Sequence, residues 1–296
     1  MPLSRARKAA ADPGQAAAWL AARLFPERYP TRQAQLARAA GLTCPLFALS
    51  FDCDTDQDTA VLERLHVKLR ESSLSPAYAA AGEVMVAAPS IYRDLASDGA
   101  ELLNHGYRRH AAVDGRSGNV VSTFFYSAAE PDVWTEDVRR GHDAVANIVG
   151  CPPLGFRTPH FGSFEEPDDL ARLWRLLAEL GYAYSSSTRP LFGWRFGPAF
   201  RRHGIVEFPV SGCLNRPAQI LDSWGLVRSA GAGSGRLVAA LDDYRLLMEQ
   251  GTPVLLNVYL DPADVVDDEM VLTALARLAP FGTDGLAGAL RAVGHV

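Results

Sequence analysis

From Cys44 onward, short apolar runs alternate with longer segments whose apolar residues recur at three- and four-residue spacing. FALSF (47–51) reads as a buried strand and leads into the amphipathic VLERLHVKLRES; PAYAAAG, SIYRDLASDG and AELLNHG continue the rhythm. EDVRRGHDAVANIVG reads as a helix, LGFRT as a strand, DLARLWRLLAELG as a helix closed by Gly181, and YAYSSS as a strand. IVEFPVS, the helix RLVAALDDYRLLMEQG, the very apolar PVLLNVYL and a helical stretch near EMVLTALARLA complete the series. Such repeated strand-helix units predict an α/β fold built on a largely parallel sheet. Residues 15–41 space Trp19, Leu20, Leu24 and Leu36 along one apolar face, interrupted by Pro26 and Pro30. They predict an N-terminal helical extension over 1–43, ahead of the main domain at 44–296. GAGSG at 231–235 reads as a flexible connection, and no internal repeat stands out. Trp19 and Trp174 are expected in the core.

Composition changes this picture little. A chain of 296 residues, 48% of them apolar, suffices for a sizeable core. The net charge of −5 is mild and its 29 basic residues form no obvious stripe, so neither nucleic acid nor a membrane surface is the expected partner. A small molecule or saccharide fits better. Cys44, Cys53, Cys151 and Cys213 lie far apart without a CxxC pair and read as reduced thiols. Asp12, Pro13 and Gly14 interrupt what would be the apolar centre of a signal peptide. No apolar run approaches the ~20 residues of a membrane helix, so a cytoplasmic location is the expectation. The sequence sets no oligomeric state.

In sheets and barrels of this kind, ligands bind beyond the carboxyl ends of the strands. Polar residues directly after apolar runs are therefore the candidates: Asp52 and Asp54, His105 and His110, Arg157, the serines at 185–187, and Asp261. Three chemistries use a strand ending in D-x-D. Asp52, Asp54, Asp56, Asp58 and Glu63 have the intervals of a calcium loop, but Gln57 stands where glycine is needed and the leading element is a strand. Asp52 as a phosphorylated nucleophile wants a neighbouring cation, and Lys8 and Lys68 are the only lysines. In metal-assisted hydrolysis, one carboxylate holds a divalent metal and the other takes a proton from water. The imidazoles this needs are supplied by ELLNHGYRRH.

SFDCD, AGEVM, DGAELLNHGYRRH, GFRTPHFG, LGYAYSSS, IVEFPVS and PVLLNVYLDP occur in that order. Together, over residues 44–262, they resemble the polysaccharide deacetylase (NodB-type) family. The resemblance implies a distorted (β/α) barrel of seven or eight strand-helix units and metal-dependent hydrolysis of N-acetyl, O-acetyl or related acyl groups. It makes Asp52 the general base and Asp54, His105 and His110 the metal ligands. Arg157 orients the base through a charge-assisted hydrogen bond, and the backbone N–H of His160, past Pro159, serves the oxyanion. Pro159, His160 and Phe161 become substrate contacts. Apart from the resemblance, Trp224 lies in a loop-like stretch, and its ring suits a sugar face. Zinc suits two imidazoles and a carboxylate with an open position; nickel, cobalt and iron are alternatives.

Two features depart from the family pattern. Its histidines sit at i and i+4 of a helix, whereas here i+4 is Arg109 and the second imidazole comes at i+5, about 140° out of line at 3.6 residues per turn. A π-bulge would realign it. The family's last strand ends in a histidine that protonates the leaving amine, where this chain has Asp261. A carboxyl group serves there only if burial or a like charge keeps it protonated; His160 or His203 is the alternative. Ser185 stands where relatives carry an aspartate that supports the arginine. These departures motivate a rival expectation, a deacetylase-fold protein without turnover acting as a binding or regulatory subunit. Plainer roles also exist: Thr55 or Asp54 as a helix cap, His105 and His110 as a loop pair bonded to carbonyls, Arg157 neutralising a structural aspartate, and Asp261 as a turn residue before Pro262.

Overall fold

The computed structural model of the protein describes residues 12–116, 118–228 and 233–293. The basic opening residues, His295 and positions 231–232 of the GAGSG connection lie outside them. The strands are β1 (Leu46–Cys53), β2 (Ala77–Ala80), β3 (Glu101–Asn104), β4 (Ala111–Val113), β5 (Val120–Ser122) and β6 (Gly155–Arg157). They continue as β7 (Tyr184–Ser186), β8 (Phe200–Arg202), β9 (Ile205–Glu207), β10 (Gly212–Cys213), β11 (Arg216–Ile220) and β12 (Leu255–Leu260). Eight of these form one sheet in the order β12-β1-β2-β3-β6-β7-β9-β8, while β4–β5 and β10–β11 are separate two-stranded units. All pairings in the large sheet are parallel except β8–β9.

The sheet curls into a distorted (β/α) barrel. No ladder joins β9 to β12 among the described residues. Residues 208–211 span the gap instead: Ser211 N donates to the Asn257 carbonyl at 2.9 Å, and Asn257 N donates to Ser211 Oγ at 2.9 Å. The Asn257 amide reaches the carbonyls of Phe208 and Pro209 at 3.2 and 3.1 Å.

Strand alternation divides the core. On β1, Phe47, Leu49, Phe51 and Cys53 enter the larger cluster with the helices, whereas Ala48 joins Ala77, Ala79, Leu103, Tyr184 and Phe208 on the other face. The helices follow the expected periodicity: Pro167–Glu179 buries Leu170, Leu173, Trp174, Leu176 and Leu177. Asp56–Glu71 opens on a capping box of Thr55 and Asp58.

At the N-terminus, helices Pro13–Leu24 and Tyr29–Ala39 lie against Pro190–Phe196. Tyr29 stacks on Trp194 with centroids 5.6 Å apart, and the Gln33 amide donates to the Gly193 carbonyl at 2.9 Å. Trp174 and Trp194 are core residues, but Trp19 is not. The small side chains of Ala18 and Ala22 face the body and permit close approach, which leaves Trp19, Leu20 and Leu24 on the outer face. No described helix is long and apolar enough to cross a membrane.

Candidate active site

The alternation that buries Phe51 and Cys53 on one face of β1 sends Ser50 and Asp52 to the other, and Asp54 follows just past the strand end. β3 lies two strands away and ends at Asn104, so His105 emerges beside those carboxylates. Residues 105–110 form an irregular loop, not a helix, and the π-bulge suggested by helical spacing does not exist. Gly106, at φ 78°, turns the chain. Asp137, on helix Pro131–Val149, holds the loop by accepting from the backbone N–H groups of Tyr107 and Arg108 at 3.1 and 2.9 Å and from the Tyr126 hydroxyl at 2.8 Å.

This loop delivers both imidazoles to one oxygen. His110 Nε2 lies 2.9 Å and His105 Nε2 3.3 Å from Asp54 Oδ1, with the two rings edge-to-face at 4.5 Å. Arg109 turns away, pairing with Asp56 at 2.7 Å. His105 Nδ1 donates to the Arg157 carbonyl at 2.9 Å, which assigns its proton to that nitrogen and leaves the Nε2 lone pair facing the cleft.

The ligand atoms of Asp54, His105 and His110 lie within 4.8 Å of one another. Bond lengths near 2.1 Å about a tetrahedral zinc put ligands roughly 3.4 Å apart, so the observed separations fit a single small cation with two imidazoles and one carboxylate. Burial raises the Asp54 carboxyl, but the His110 charge, the adjacent His105 ring and the hydrogen bond from His110 Nε2 outweigh it and hold the group well below the usual range. Burial likewise opposes charge on His110, and Asp54 overcomes it, raising its pKa.

Asp52 stands behind this cluster. Its Oδ2 is 3.9 Å from His105 Nε2, and its Oδ1 is 3.7 Å from Arg157 NH1. Burial pushes its pKa up, opposed by the charges of Arg157 and His105. Arg157 ends β6, is fully buried, and donates from NH2 to Ser50 Oγ at 2.7 Å. Ser185 pairs instead with Ser187, at 2.6 Å. The serine segment serves Glu207, whose carboxylate accepts from Ser187 N and Thr188 Oγ1, each at 2.8 Å, and from Trp174 Nε1 at 3.0 Å.

Asp52, Asp54 and His105 open on a cleft of about 290 Å³ whose walls include Phe125, His160, Phe161, Trp224 and Tyr259. Trp224 is 42% exposed at its rim. Pro159 is buried and does not line the cleft. His160, at φ 54°, has its Nε2 3.0 Å from the His110 carbonyl; burial and the His110 charge lower its pKa to about 4. His203 sits in the β8–β9 turn near Trp174, away from the cleft. Among the described residues the cleft contains no lysine, and Arg228 is engaged by Asp264 at 2.6 Å, an arrangement poorly suited to a phosphorylated aspartate.

Asp261 follows β12 and is buried. Ser223 Oγ donates to its Oδ2 at 2.7 Å and accepts from its backbone N–H at 2.8 Å. Burial raises its carboxyl well above the usual range; Arg228 opposes this, and Asp54, Asp58 and Asp264 add to it. Asp58 and Asp222 also line the cleft, each pushed by burial to about 6. Asp222 accepts from the Tyr259 hydroxyl at 2.8 Å. Sequence reasoning missed Asp222, Ser223, Tyr259 and Arg228. The available signal was the polar DS directly after the apolar pair Ile220 and Leu221.

The fold is shared with solved polysaccharide deacetylases. A Mycobacterium smegmatis protein assigned to that class aligns with a TM-score of 0.58 and 19% identity, covering 86% of this chain and 91% of its own. A similarly assigned protein of Pseudomonas aeruginosa PAO1 gives 0.54 and 13%, over 82% and 86%. PuuE allantoinase gives 0.51 and 12%, over 80% and 83%. At such identities the likeness establishes the architecture. No protein-family model and no curated protein matches the chain by sequence.

Proposed function

We propose that the protein is a metal-dependent hydrolase that removes an acetyl or similar acyl group from an amide, the substrate being an amino sugar or related small molecule. The observation that carries this reading is the convergence of Asp54, His105 and His110 on one point, with Asp52 backed by Arg157 beside it. Structural likeness to enzymes named for deacetylation supports the reaction class.

Asp54, His105 and His110 would hold the cation, most suitably zinc, with nickel, cobalt or iron as alternatives. When bound, it supplies a Lewis acid that polarises an acyl carbonyl and acidifies water. Asp52 accepts the proton of the attacking water, and Arg157 orients it and favours its ionised form. Asp261, kept protonated by burial and neighbouring carboxylates, gives a proton to the departing nitrogen. A His160 lowered to about 4 is neutral at pH 7 and acts as a wall rather than as this acid. Phe125, Phe161 and Trp224 offer flat apolar faces to a sugar ring or acyl group. Residues 44–296 carry the chemistry in this reading, with 1–43 as an appendage and the cytoplasm as the compartment.

The test combines metal analysis of purified protein with acetate and formate release from a panel of acylated amines. His105→Ala is expected to lose both metal and turnover, and Asp52→Asn only turnover. Metal-bound protein that releases no acyl group would favour the binding-subunit reading, which the replacement of a histidine by Asp261 motivates.

A further inference from the structure

We infer that the outer face of the N-terminal helix docks on an anionic lipid bilayer. Helix Pro13–Leu24 turns Ala18 and Ala22 toward the body and presents Trp19, Leu20 and Leu24 to solvent at 47%, 50% and 57% exposure. Phe25, just beyond, is 41% exposed. At 100° per residue, Trp19, Arg23, Leu20 and Leu24 share an arc of roughly 140°, so the bulky apolar groups form one face. Scattered surface apolar residues are ordinary, but a contiguous set on one helix marks a contact. Two guanidinium groups sit on it: Arg23 lies over the Trp19 ring at 5.4 Å and Arg28 over the Phe25 ring at 4.5 Å.

Charge chooses the occupant. The first 40 residues hold 7 of the 29 basic side chains and 2 of the 34 acidic ones, a net +5, while the remainder of this chain carries −10. The basic residues are thus not evenly scattered, contrary to the reading of the whole-chain total. An anionic surface attracts this end and repels the rest, which orients the molecule. Trp, Phe and Leu then enter the headgroup boundary while long arginine stems carry their charge to the phosphates. A second copy meeting this face would oppose like charges, and the exposed Leu20 and Leu24 add aliphatic area that a bilayer buries and a nucleic acid does not.

The experiment is vesicle flotation of the full-length protein. Phosphatidylcholine vesicles containing phosphatidylglycerol should carry it at low salt, pure phosphatidylcholine should not, and high salt should weaken the binding. The double variant Leu20→Ser/Leu24→Ser should bind about tenfold more weakly or worse, given the apolar area it withholds. Arg23→Gln/Arg28→Gln should lose affinity for the anionic vesicles selectively. All four side chains are exposed, so unchanged thermal unfolding serves as the control for folding. Equal binding to both vesicle types, or wild-type binding by both variants, would overturn the proposal. So would a dimer in sedimentation velocity that the leucine variant dissolves, or capture by duplex DNA in place of lipid.

Discussion

Asp52 and Asp54 are two residues apart on one strand tip, yet their surroundings suit them to opposite tasks in the proposed reaction. Two imidazoles hold Asp54 ionised, as a ligand must be, whereas burial raises Asp52 and so strengthens it as a base. Asp52→Asn should therefore lower acyl release by about 10²–10⁴-fold, the usual contribution of a general base, while bound metal measured by mass spectrometry stays at the wild-type level. Asp222 gives a different readout. Its pKa is about 6 in the fold against 3.8 for the ordinary carboxyl. Between those values the folded state binds the proton and the unfolded state does not, so stability falls as pH rises through that window and is flat above it. The slope for one such group approaches 1.4 kcal/mol per pH unit. Asp222→Asn should reduce the slope of the urea midpoint against pH between about pH 4 and pH 6 by one group's share, leaving that of Asp58. An unchanged slope would assign the effect to another group.

At the scale of the element, the histidine loop depends on the helix packed behind it. A Cβ on Gly141, in Pro131–Val149, would strike the Asn104 amide oxygen and come within 2.7 Å of the Gly106 backbone. Gly141→Ala should cost roughly 1–3 kcal/mol in urea unfolding and weaken metal binding, because relief requires the loop of His105 and His110 to move. Gly115→Ala, with open space around it, should do neither. This contact also marks the limit of what the chain discloses. The strand-helix rhythm was readable because each strand must bury its apolar run, and Asp52 and Asp54 of the cleft were readable as its polar ending. The spacing of His105 and His110 was misjudged because helical geometry was applied to residues that Gly106 turns into a loop. Asp222 and Tyr259 meet only through a fold in which β11 and β12 lie far apart in sequence. Trp19 carried a core residue's chemistry, yet the alanines beside it chose which face packs.

At the scale of the whole molecule, the curled sheet gathers carboxylates from several strand ends around one cleft. Asp52, Asp54, Asp58, Asp222 and Asp261 all line it, without a lysine among the described residues. Their mutual repulsion is partly relieved by protonation, which is why burial and like charge raise several of them together. A divalent cation relieves it differently, by adding positive charge that only the folded arrangement can hold in one place. Binding to the folded state alone stabilises by about 2.7 kcal/mol at a hundredfold excess over Kd. For a chain of this size that corresponds to a rise in Tm of about 4 °C. Zinc should therefore raise Tm in differential scanning fluorimetry, with chelator reversing it. Asp54→Asn and His105→Ala should abolish the shift, since each removes a proposed ligand, while Asp261→Asn should keep it, since in the proposed reaction that residue donates a proton and binds no metal. A zinc shift that survives in His105→Ala would mean that the cation sits elsewhere, and the three-residue cluster would then be a hydrogen-bonded turn rather than a metal centre.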